Sequence, residues 1–275
     1  MKIAVTGANG DLGSNLVPYL AGQGHTIVSI DRSPPVLQKP ISTSQHYVVD
    51  VRNFGEVIAS LEGCDAVIHL AAHRSPLNMP PPVVYSENTA GSFNVLFAAA
   101  TLGIRRVCMA SSINAIGGAF SRVPRYNFFP LNEHHPTYAE DPYSLSKWVL
   151  EQQGEAIARR YQNLAIASLR FHWLLASQER AAELTEEYSE LAVRHLWAYT
   201  LMLEACRACL LAVTADFSGH EKFYIVAPQT CTSEETVALC RKYYPHAELR
   251  KELSGRDGFF DCSKAGLTLG WYHKD

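Results

Sequence analysis

The sequence predicts an α/β fold in which a parallel sheet is covered by helices on both faces. Short apolar runs recur along the first two thirds of the chain and alternate with segments of helical periodicity. Such runs are typical of strands buried on both faces, which parallel sheets require. The predicted strands are "KIAVTG", "TIVSID", "HYVVD", "AVIHLAA", "RRVCMASS" and "LAIASLRF".

Four helices are predicted between these strands, at residues 12–22, 53–61, 83–102 and 143–161. The segment "SFNVLFAAATLGI" in the third helix is apolar on all sides, which is typical of a helix buried against both a sheet and a partner. Residues 114–142 are rich in Pro, Gly and aromatics and lie between a strand and a helix, so we expect them to form a substrate-lining loop.

The alternation weakens after about residue 172. We expect a charged helix near 179–195, an apolar helix near 197–213, a strand "KFYIV" and a helix "SEETVALCRKYY". We therefore expect the chain to divide into a main domain, residues 1–171, and a small substrate-side region, residues 172–275, partly interleaved with the first.

Composition excludes several classes of function. The 275 residues are 47% hydrophobic, and 24 Lys and Arg against 27 Asp and Glu give a net charge of -3, without a basic run for nucleic acid. Since no apolar stretch reaches the roughly 18 residues that a membrane helix needs, and the start does not resemble a signal peptide, we expect a cytoplasmic protein without a membrane partner. The seven cysteines do not suggest disulfides, and the "CRAC" at 206–209 is interpreted as part of a core helix, not as a metal site.

A glycine-rich turn joins the first strand to the first helix in "KIAVTGANGDLGSNLVPYL". Glycines at this point allow a tight turn and a close approach of the backbone to a pyrophosphate, while the helix N-terminus supplies amides and a positive dipole. The context of strand, turn and helix therefore predicts dinucleotide binding. The residues expected at the cofactor are Gly7, Asn9, Gly10, Asp11, Leu12 and Gly13.

Acidic residues follow the second and third strands. Asp31 stands where a carboxylate would bind the ribose 2'-hydroxyl, and it would repel a 2'-phosphate, so NAD is favoured. Arg32 beside it is able to pair with a phosphate, which keeps NADP as the alternative. Asp50 is expected to accept the adenine amino group, with Val51 over the ring; an N-cap or a strand-end turn is the other interpretation of Asp50.

The stretch "EDPYSLSKW" places Tyr143 and Lys147 four residues apart on a predicted helix, where they are neighbours. Hydride transfer to or from a carbinol carbon needs a proton donor or acceptor at the oxygen, but a free tyrosine with a pKa of about 10 is a weak base. We expect the Lys147 ammonium to lower the pKa of Tyr143 and to hold the nicotinamide ribose. The alternative is an aromatic residue at a helix start and a solvated lysine.

With these motifs, together with "HLAA" at 69–72, "NTAGSFNVLFAA" at 88–99 and "ASS" at 110–112, the chain resembles the extended short-chain dehydrogenase/reductases, and most of all the NAD-dependent epimerase/dehydratase family. The resemblance runs from residue 1 to about 171, and "DCSKAGLTLGW" is similar to the family's closing helix. It implies a doubly wound parallel (Rossmann) sheet, NAD(P) across the carboxyl ends of the strands, and homodimers through the helices near 83–102 and 143–161.

The resemblance also implies roles for single residues. Ser112 matches the catalytic serine, with Ser111 as the competing choice, while Tyr143 and Lys147 match the tyrosine and lysine. Ser112 would bind the substrate oxygen and stabilise the charge that develops there. Asn88 would lie near the cofactor, or else be a helix N-cap. The segment expected to pass beneath the cofactor is Leu70, Ala71 and Ala72, although a buried strand end would have the same small side chains.

Departures from the family pattern narrow the function. Ile113 and Asn114 replace the acidic pair of the dehydratases, and "RFHWLLAS" lacks the Asn and Gly-Pro of nucleotide-sugar epimerases. The size and "SSINAIGG" are similar to the compact dehydrogenases of the branch, such as uronate dehydrogenase. The candidates for substrate contact are Arg74, Ser75, Asn114, His172 and Arg180.

Three functions remain open. The leading hypothesis is an NAD-dependent oxidoreductase acting on a hydroxyl or carbonyl carbon of a small polar, sugar-like molecule. The second is a sugar or nucleotide-sugar epimerase with tightly held NAD. The third is a non-catalytic dinucleotide sensor, which the intact Ser112, Tyr143 and Lys147 disfavour.

Overall fold

The computed structural model of the protein describes residues 1–35, 44–77 and 79–274. The elements of the first part are β1 (Lys2–Thr6), α1 (Asp11–Gly22), β2 (Thr26–Asp31), β3 (Ser44–Val48), α2 (Phe54–Leu61), β4 (Ala66–His69), α3 (Pro81–Thr101), β5 (Arg106–Ser112), a 3-10 turn (Ile113–Ile116), β6 (Phe128–Phe129), α4 (Pro142–Arg160) and β7 (Ala165–Phe171). The elements that follow are β8 (Leu174–Leu175), α5 (Gln178–Glu187), α6 (Ser189–Arg194), β9 (Thr200–Leu201), α7 (Met202–Thr214), β10 (Gly219–Ile225), α8 (Thr236–Tyr243), β11 (Glu248–Leu249) and α9 (Ser263–Leu269).

The predicted parallel α/β sheet is confirmed. Within the described residues, seven strands form one sheet in the order β3-β2-β1-β4-β5-β7-β10, and every neighbouring pair is parallel. The chain reverses its direction of travel across the sheet between β1 and β4, which is the doubly wound arrangement. A crevice for ligands is therefore expected at the carboxyl ends of these two strands.

Helices cover both faces of the sheet. On one face, α1, α7 and α9 pack through residues such as Leu16, Cys209 and Leu269. On the other face, α2, α3 and α4 pack through residues such as Val57, Val95 and Leu150. Burial of apolar side chains on both sides explains why the strands are almost continuously apolar.

The C-terminal region joins the same sheet through its predicted strand. Strand β10 pairs in parallel with β7, from Gly219 opposite Ala165 to Ile225 opposite Phe171. A third apolar cluster, rich in aromatic residues such as Phe129, Trp197 and Phe259, includes Tyr224 of β10. The region is thus anchored to the first part of the chain by backbone pairing.

Two helices of this region differ from the prediction. The charged helix is broken at Tyr188, between α5 and α6, and the apolar helix begins only at Met202, because Leu196 and Trp197 have positive φ values of 56° and 49°. Both of these side chains are buried in the aromatic cluster. Tertiary burial therefore overrides helical periodicity at this point.

The interpretation of "CRAC" as part of a core helix is confirmed. Cys206 and Cys209 are buried in α7, and all seven cysteines are free. No cluster of three potential metal-ligating side chains occurs in residues 1–35, 44–77 and 79–274. Among the described helices, none is both long and apolar enough to cross a membrane.

Candidate active site and cofactor cleft

The glycine turn after β1 is packed too closely to accept side chains at two positions. Gly7 has a φ of 70°, and a Cβ there would lie 2.7 Å from the backbone nitrogen of Ala71. A Cβ on Gly13 would lie 2.2 Å from the carbonyl oxygen of Gly7. The first glycine therefore lets the turn touch the segment after β4, and the third lets α1 pack on the turn.

The start of α1 suits an anion. Gly10 is the N-cap residue and no side-chain cap is found there among the described residues, so the first amides of α1 have no side-chain acceptor. Amides in this position, at the positive end of a helix, form a ready binding site for phosphate groups. Asp11, in the first turn, pairs with Arg74 across the mouth of the crevice.

The carboxyl end of β4 lies directly beneath this turn. Leu70 donates its backbone N–H to the carbonyl oxygen of Thr6 at 3.1 Å, and Leu70 and Ala71 also donate to the Thr6 hydroxyl at 3.2 and 3.3 Å. Since that hydroxyl accepts these two bonds, its own proton goes to Nδ1 of His69, 2.7 Å away. Burial, and next the charge of Lys147, lower the pKa of His69 to about 3, so this ring is neutral. Sequence reasoning missed His69, although it belongs to the quoted "HLAA".

Asp31 ends β2 beside the glycine turn. Its carboxylate accepts the backbone N–H of Asn9 at 3.0 Å and the N–H and hydroxyl of Ser33 at 3.1 and 2.9 Å. These bonds fix the carboxylate at the carboxyl end of the strand. Arg32, in contrast, is mostly exposed and reaches toward Glu87 on α3, at 4.0 Å.

Asp50 adopts the strand-end turn that was one of its two interpretations. Its carboxylate accepts the backbone N–H of Arg52 at 3.0 Å and forms an ion pair with the Arg52 guanidinium. That side-chain hydrogen bond is the largest cause that lowers the pKa of Asp50. Val51 packs against Gly91 of α3, whose Cβ would lie 2.8 Å from it. The adenine contact of Asp50 and Val51 stays a prediction.

Asn88 is not a helix N-cap, so that interpretation is wrong. It lies within α3, which begins at Pro81. Its buried amide accepts the backbone N–H of His73 at 2.8 Å and donates to the His73 carbonyl and the Ser146 hydroxyl, both at 3.0 Å. Asn88 therefore ties the loop after β4 to α4, while its contact with a cofactor remains a prediction.

Ser112, Tyr143 and Lys147 converge at the carboxyl end of β5. Helix α4 begins at Pro142, and the Asp141 carboxylate caps it by accepting the N–H groups of Tyr143 and Ser144 at 3.0 and 2.9 Å. One turn later the Lys147 ammonium donates to the carbonyl oxygen of Ala110 at 2.7 Å and lies 5.8 Å from the centre of the Tyr143 ring. All three site residues are buried.

The pKa values of the site depend mainly on burial. Burial raises the pKa of Tyr143 to about 12, and Asp141 adds to the rise, whereas a hydrogen bond with Ser112 lowers it in part. Burial also lowers the pKa of Lys147 to about 8. The net rise is opposite to the lowering that was predicted from Lys147, because the cost of burying the phenolate exceeds the effects that lower the pKa, of which the Ser112 hydrogen bond is the largest.

The two serines at the end of β5 point to different partners. Ser111 donates its hydroxyl to Glu151 at 2.7 Å, within a buried structural network. Ser112 is the one that contacts Tyr143, and its oxygen also accepts the backbone N–H of Asn114 at 3.1 Å. This geometry favours Ser112 over Ser111 as the residue beside a reacting oxygen.

Phe120 is a neighbour of the site that sequence reasoning missed. Its ring stands edge-on to the Tyr143 ring, with centroids 5.7 Å apart. The loop that carries it is held to α6, because Arg194 donates to the carbonyl oxygen of Ser121 at 2.8 Å. No local sequence pattern identifies Phe120 as a site residue. It does lie within the stretch 114–142, which was predicted to line the substrate site.

The candidates for substrate contact are dispersed. Arg74 is exposed at the crevice mouth, close enough for its charge to lower the pKa of Tyr143, and the Ser75 hydroxyl accepts the N–H of Leu77 at 3.0 Å. Asn114 is buried beside Ser112. The remaining two are not free at their polar ends: His172 uses both ring nitrogens, on Trp173 N–H and the His195 carbonyl, and Arg180 pairs with Glu183 on exposed α5.

Fold and site together are those of an extended short-chain dehydrogenase/reductase: a doubly wound sheet, a glycine turn before α1, and a serine, tyrosine and lysine at the end of β5. The family model of the NAD dependent epimerase/dehydratase family matches residues 3–195, and the chain belongs to that family.

Curated relatives carry several different activities in their names. A putative dihydroflavonol 4-reductase of Synechocystis is 31% identical over 170 residues, which cover 60% of this chain and 47% of that protein. An L-arabinose 1-dehydrogenase (NAD(P)(+)) of Haloferax volcanii is 29% identical over 203 residues, or 71% of this chain and 76% of that protein. A putative UDP-glucose 4-epimerase of Methanocaldococcus jannaschii is 30% identical over 174 residues, covering 62% and 54%. The matched segment thus spans about half the length of two of these three proteins.

Solved structures share the fold over the whole chain. The UDP-glucose 4-epimerase of Thermotoga maritima, solved with UDP-glucose, superposes with a TM-score of 0.73 at 23% identity, covering 100% of this chain and 94% of that one. A mutated uronate dehydrogenase gives a TM-score of 0.69 at 18% identity, covering 100% and 82%. At these identities the likeness establishes the architecture.

Proposed function

We propose that the protein is an NAD-dependent oxidoreductase that moves a hydride between nicotinamide and a hydroxyl or carbonyl carbon of a small polar, sugar-like substrate. The observation that carries the proposal is the meeting of Ser112, Tyr143 and Lys147 beside a glycine turn whose following helix lacks a side-chain cap among the described residues. Family membership supports the same class of reaction.

The residues of the crevice fit a dinucleotide. The amides at the start of α1 would bind the pyrophosphate, and Asp31 would accept a hydroxyl of the adenosine ribose, which favours NAD over NADP. Leu70, Ala71 and Ala72 would lie beneath the cofactor. When bound, nicotinamide supplies the acceptor or donor of the hydride.

Tyr143 would exchange the proton with the substrate oxygen. With a pKa raised to about 12 by burial, its phenol is neutral near pH 7 and is suited to donate a proton to an oxygen that gains charge as a carbonyl is reduced. In the oxidative direction the phenolate would accept the alcohol proton, and the positive charge of oxidised nicotinamide would lower the pKa of Tyr143 on binding. The Ser112 hydroxyl would donate to the same oxygen and stabilise its charge.

Lys147 would hold the cofactor ribose beside Tyr143. One of its three donors is used on the Ala110 carbonyl, which leaves two for ribose hydroxyls. Burial keeps its pKa at about 8, so the ammonium is charged at neutral pH but loses its proton in mild alkali.

The C-terminal region, residues 172–275, would complete the substrate site. Phe120, whose ring stands edge-on to Tyr143, and Asn114, which contacts Ser112, would also face the substrate, and Arg74 at the crevice mouth would pair with an acidic group of the substrate. His172 would help through its ring surface only, since both ring nitrogens already have partners.

The protein would act as a homodimer in the cytoplasm. Helices α3 and α4 are the proposed interface, and α3 carries the exposed aromatic side chains Tyr85 and Phe93, which a second copy would cover.

The test is turnover with NAD on a panel of alcohols, aldoses and uronates. We expect NADH to form with wild type, and Tyr143→Phe to reduce kcat by about 1000-fold, because it removes the group that takes the alcohol proton but keeps the ring. Tyr272→Phe, which removes an exposed hydroxyl near the C-terminus, is the matched control and should keep the wild-type rate. Full activity of Tyr143→Phe, or no turnover on the whole panel by a wild type that binds NAD, would contradict the proposal.

The second candidate is an epimerase that oxidises and re-reduces one carbon with retained NAD. The names of several relatives, including the Methanocaldococcus jannaschii protein, favour this candidate. Interconversion of sugar epimers without net NADH, by protein that keeps its cofactor through gel filtration, would distinguish it from the dehydrogenase.

A further inference from the structure

Glu87, on α3, is the centre of a charge network next to the proposed adenosine end of the cleft. Its carboxylate forms an ion pair with Arg52 and a hydrogen bond of 2.8 Å with Nε2 of His73, and it lies 4.0 Å from the Arg32 guanidinium. Its side chain is 21% exposed, compared with 68% for Arg32. The more buried carboxylate therefore has basic side chains around it from the segments that follow β2, β3 and β4.

Helix α3 fixes Glu87 at this place through its next two turns. A Cβ on Gly91 would lie 2.8 Å from Cγ2 of Val51, so only glycine lets the helix sit so close to the turn after β3. Asn94 then donates to the carbonyl oxygens of Val51 and Arg52, at 3.0 and 2.9 Å. Because residues four and seven positions apart share a helix face, this docking places Glu87 beside the end of β2.

Among the described residues of this group, each guanidinium has a carboxylate within 4.0 Å. Three carboxylates, Asp31, Asp50 and Glu87, face two guanidiniums, Arg32 and Arg52, so the carboxylates of this group outnumber its guanidiniums by one. Arg52 pairs with both Asp50 and Glu87. Arg32 is directed toward Glu87, and it also lies close enough to Asp50 to lower the pKa of that carboxyl.

We propose that Glu87 is a specificity-determining residue that makes the cleft prefer NAD by engaging Arg32. The inference rests on the proposed dinucleotide binding and deepens it. A ribose 2'-phosphate carries a charge of about -1.5 to -2 and needs a guanidinium to pair with. The one that follows Asp31 in the chain is occupied by Glu87, whereas the uncharged 2'-hydroxyl of NAD needs only Asp31.

The test measures the Kd values of NADH and NADPH for the whole protein by fluorescence titration in the absence of substrate. In Glu87→Gln the amide keeps the shape of the side chain but not its charge, so Arg32 becomes available to a phosphate. We expect the Kd for NADPH to fall about tenfold, while the Kd for NADH changes less than about twofold. The gain for NADPH should weaken as salt is raised, since it comes from an exposed ion pair. Glu87→Ala is the second variant, with the same expected direction.

Two further variants separate this role from a structural one. Adding Arg32→Ala to Glu87→Gln should abolish the gain for NADPH, because the released guanidinium is gone. Glu155→Gln, which removes an exposed carboxylate paired with Arg159 on α4, should leave both Kd values unchanged. If both Glu87 variants bind NADH and keep the wild-type ratio of the two Kd values, the role of Glu87 in specificity is overturned, while the proposed function is not affected. A wild type that binds neither nucleotide would overturn the proposed function as well.

Discussion

The cofactor-side part of the chain, residues 1–171, and the C-terminal region, residues 172–274, are built in different ways. In the first part each of the strands β1, β3 and β4 leads into the next helix, so neighbours in the sequence are neighbours in space. In the second part β8, β9 and β11 have two residues each, and β8 pairs with β9 across some 25 intervening residues. The first part is therefore determined mostly by local pattern, and the second by contacts between distant segments.

A buried ion pair joins the two parts. Glu151 of α4 and Arg170 of β7 form two hydrogen bonds of 2.8 Å, and Arg170 also donates to the Tyr224 hydroxyl of β10 at 3.1 Å. Burial alone would raise the pKa of Glu151, but Arg170 holds it below its usual value. On the open side of β10, Glu133 accepts the backbone N–H of Tyr224 at 2.9 Å. The last strand of the sheet is thus fastened by side chains of the first part.

The largest expected effect tests this joint. Glu151→Gln leaves the Arg170 guanidinium buried without a counter-charge, which should lower the free energy of unfolding by about 3 kcal/mol. Because β10 is held to the first part of the chain through Arg170, the two parts should unfold together. In a urea titration, near- and far-ultraviolet circular dichroism should therefore show the same single transition.

The matched control is Glu183→Gln, which removes an exposed carboxylate paired with Arg180 on α5. It should cost less than about 0.5 kcal/mol, since exposed ion pairs contribute little. If Glu151→Gln were as mild as this control, or if the C-terminal region unfolded separately in wild type, the two parts would not be coupled through Arg170.

The same contrast explains how much of the fold could be predicted. All six strands proposed before residue 172 are present in the sheet, and α1 to α4 lie within two residues of the predicted bounds. In the C-terminal region the strand containing Tyr224 was expected, but the break at Tyr188 and the turn at Leu196 and Trp197 were not. Periodicity carries no signal for a left-handed turn that is stabilised by burial of its own side chains.

Some residues of the candidate site could likewise be predicted from local sequence pattern, and others could not. The meeting of Ser112, Tyr143 and Lys147 could be expected, because strand ends, a helical spacing of four and a family resemblance all point to one edge of the sheet. Glu87 and Phe120 could not, since each reaches the site from a segment whose own sequence contains no motif for it. The upward net shift in the pKa of Tyr143 was also missed, because burial is a property of the packed fold.

The second prediction tests the locally determined part. A Cβ on Gly13 would lie 2.2 Å from the Gly7 oxygen and 2.7 Å from Cα of Ala8, so Gly13→Ala forces backbone atoms apart. We expect a loss of about 2 kcal/mol in the free energy of unfolding and weaker NADH binding. Thermal unfolding and fluorescence titration measure the two effects.

The comparison variant is Gly22→Ala, at the other end of α1, where a Cβ would meet nothing within 4 Å. It should stabilise the protein by up to about 1 kcal/mol through helix propensity and leave NADH binding unchanged. Equal behaviour of the two variants would mean that the glycine turn does not depend on the close contact of α1 with Gly7.

The smallest expected effect concerns acid and the C-terminal region. His195 is buried and stacks on Trp173 with ring centroids 4.4 Å apart, and burial lowers its pKa to about 4. In the unfolded chain the pKa returns to about 6.5, so below that pH the unfolded state binds a proton that the folded state does not, and stability falls as the pH falls.

In wild type this histidine should account for a loss of about 1 kcal/mol between pH ~7 and pH ~5.5. His195→Gln should show a smaller loss over that interval in urea titrations, whatever its stability at neutral pH, whereas the exposed His134→Gln should keep the wild-type slope. An identical slope in His195→Gln would mean that the ring is protonated in the fold, and that the aromatic cluster of the C-terminal region is more open to water than its packing indicates.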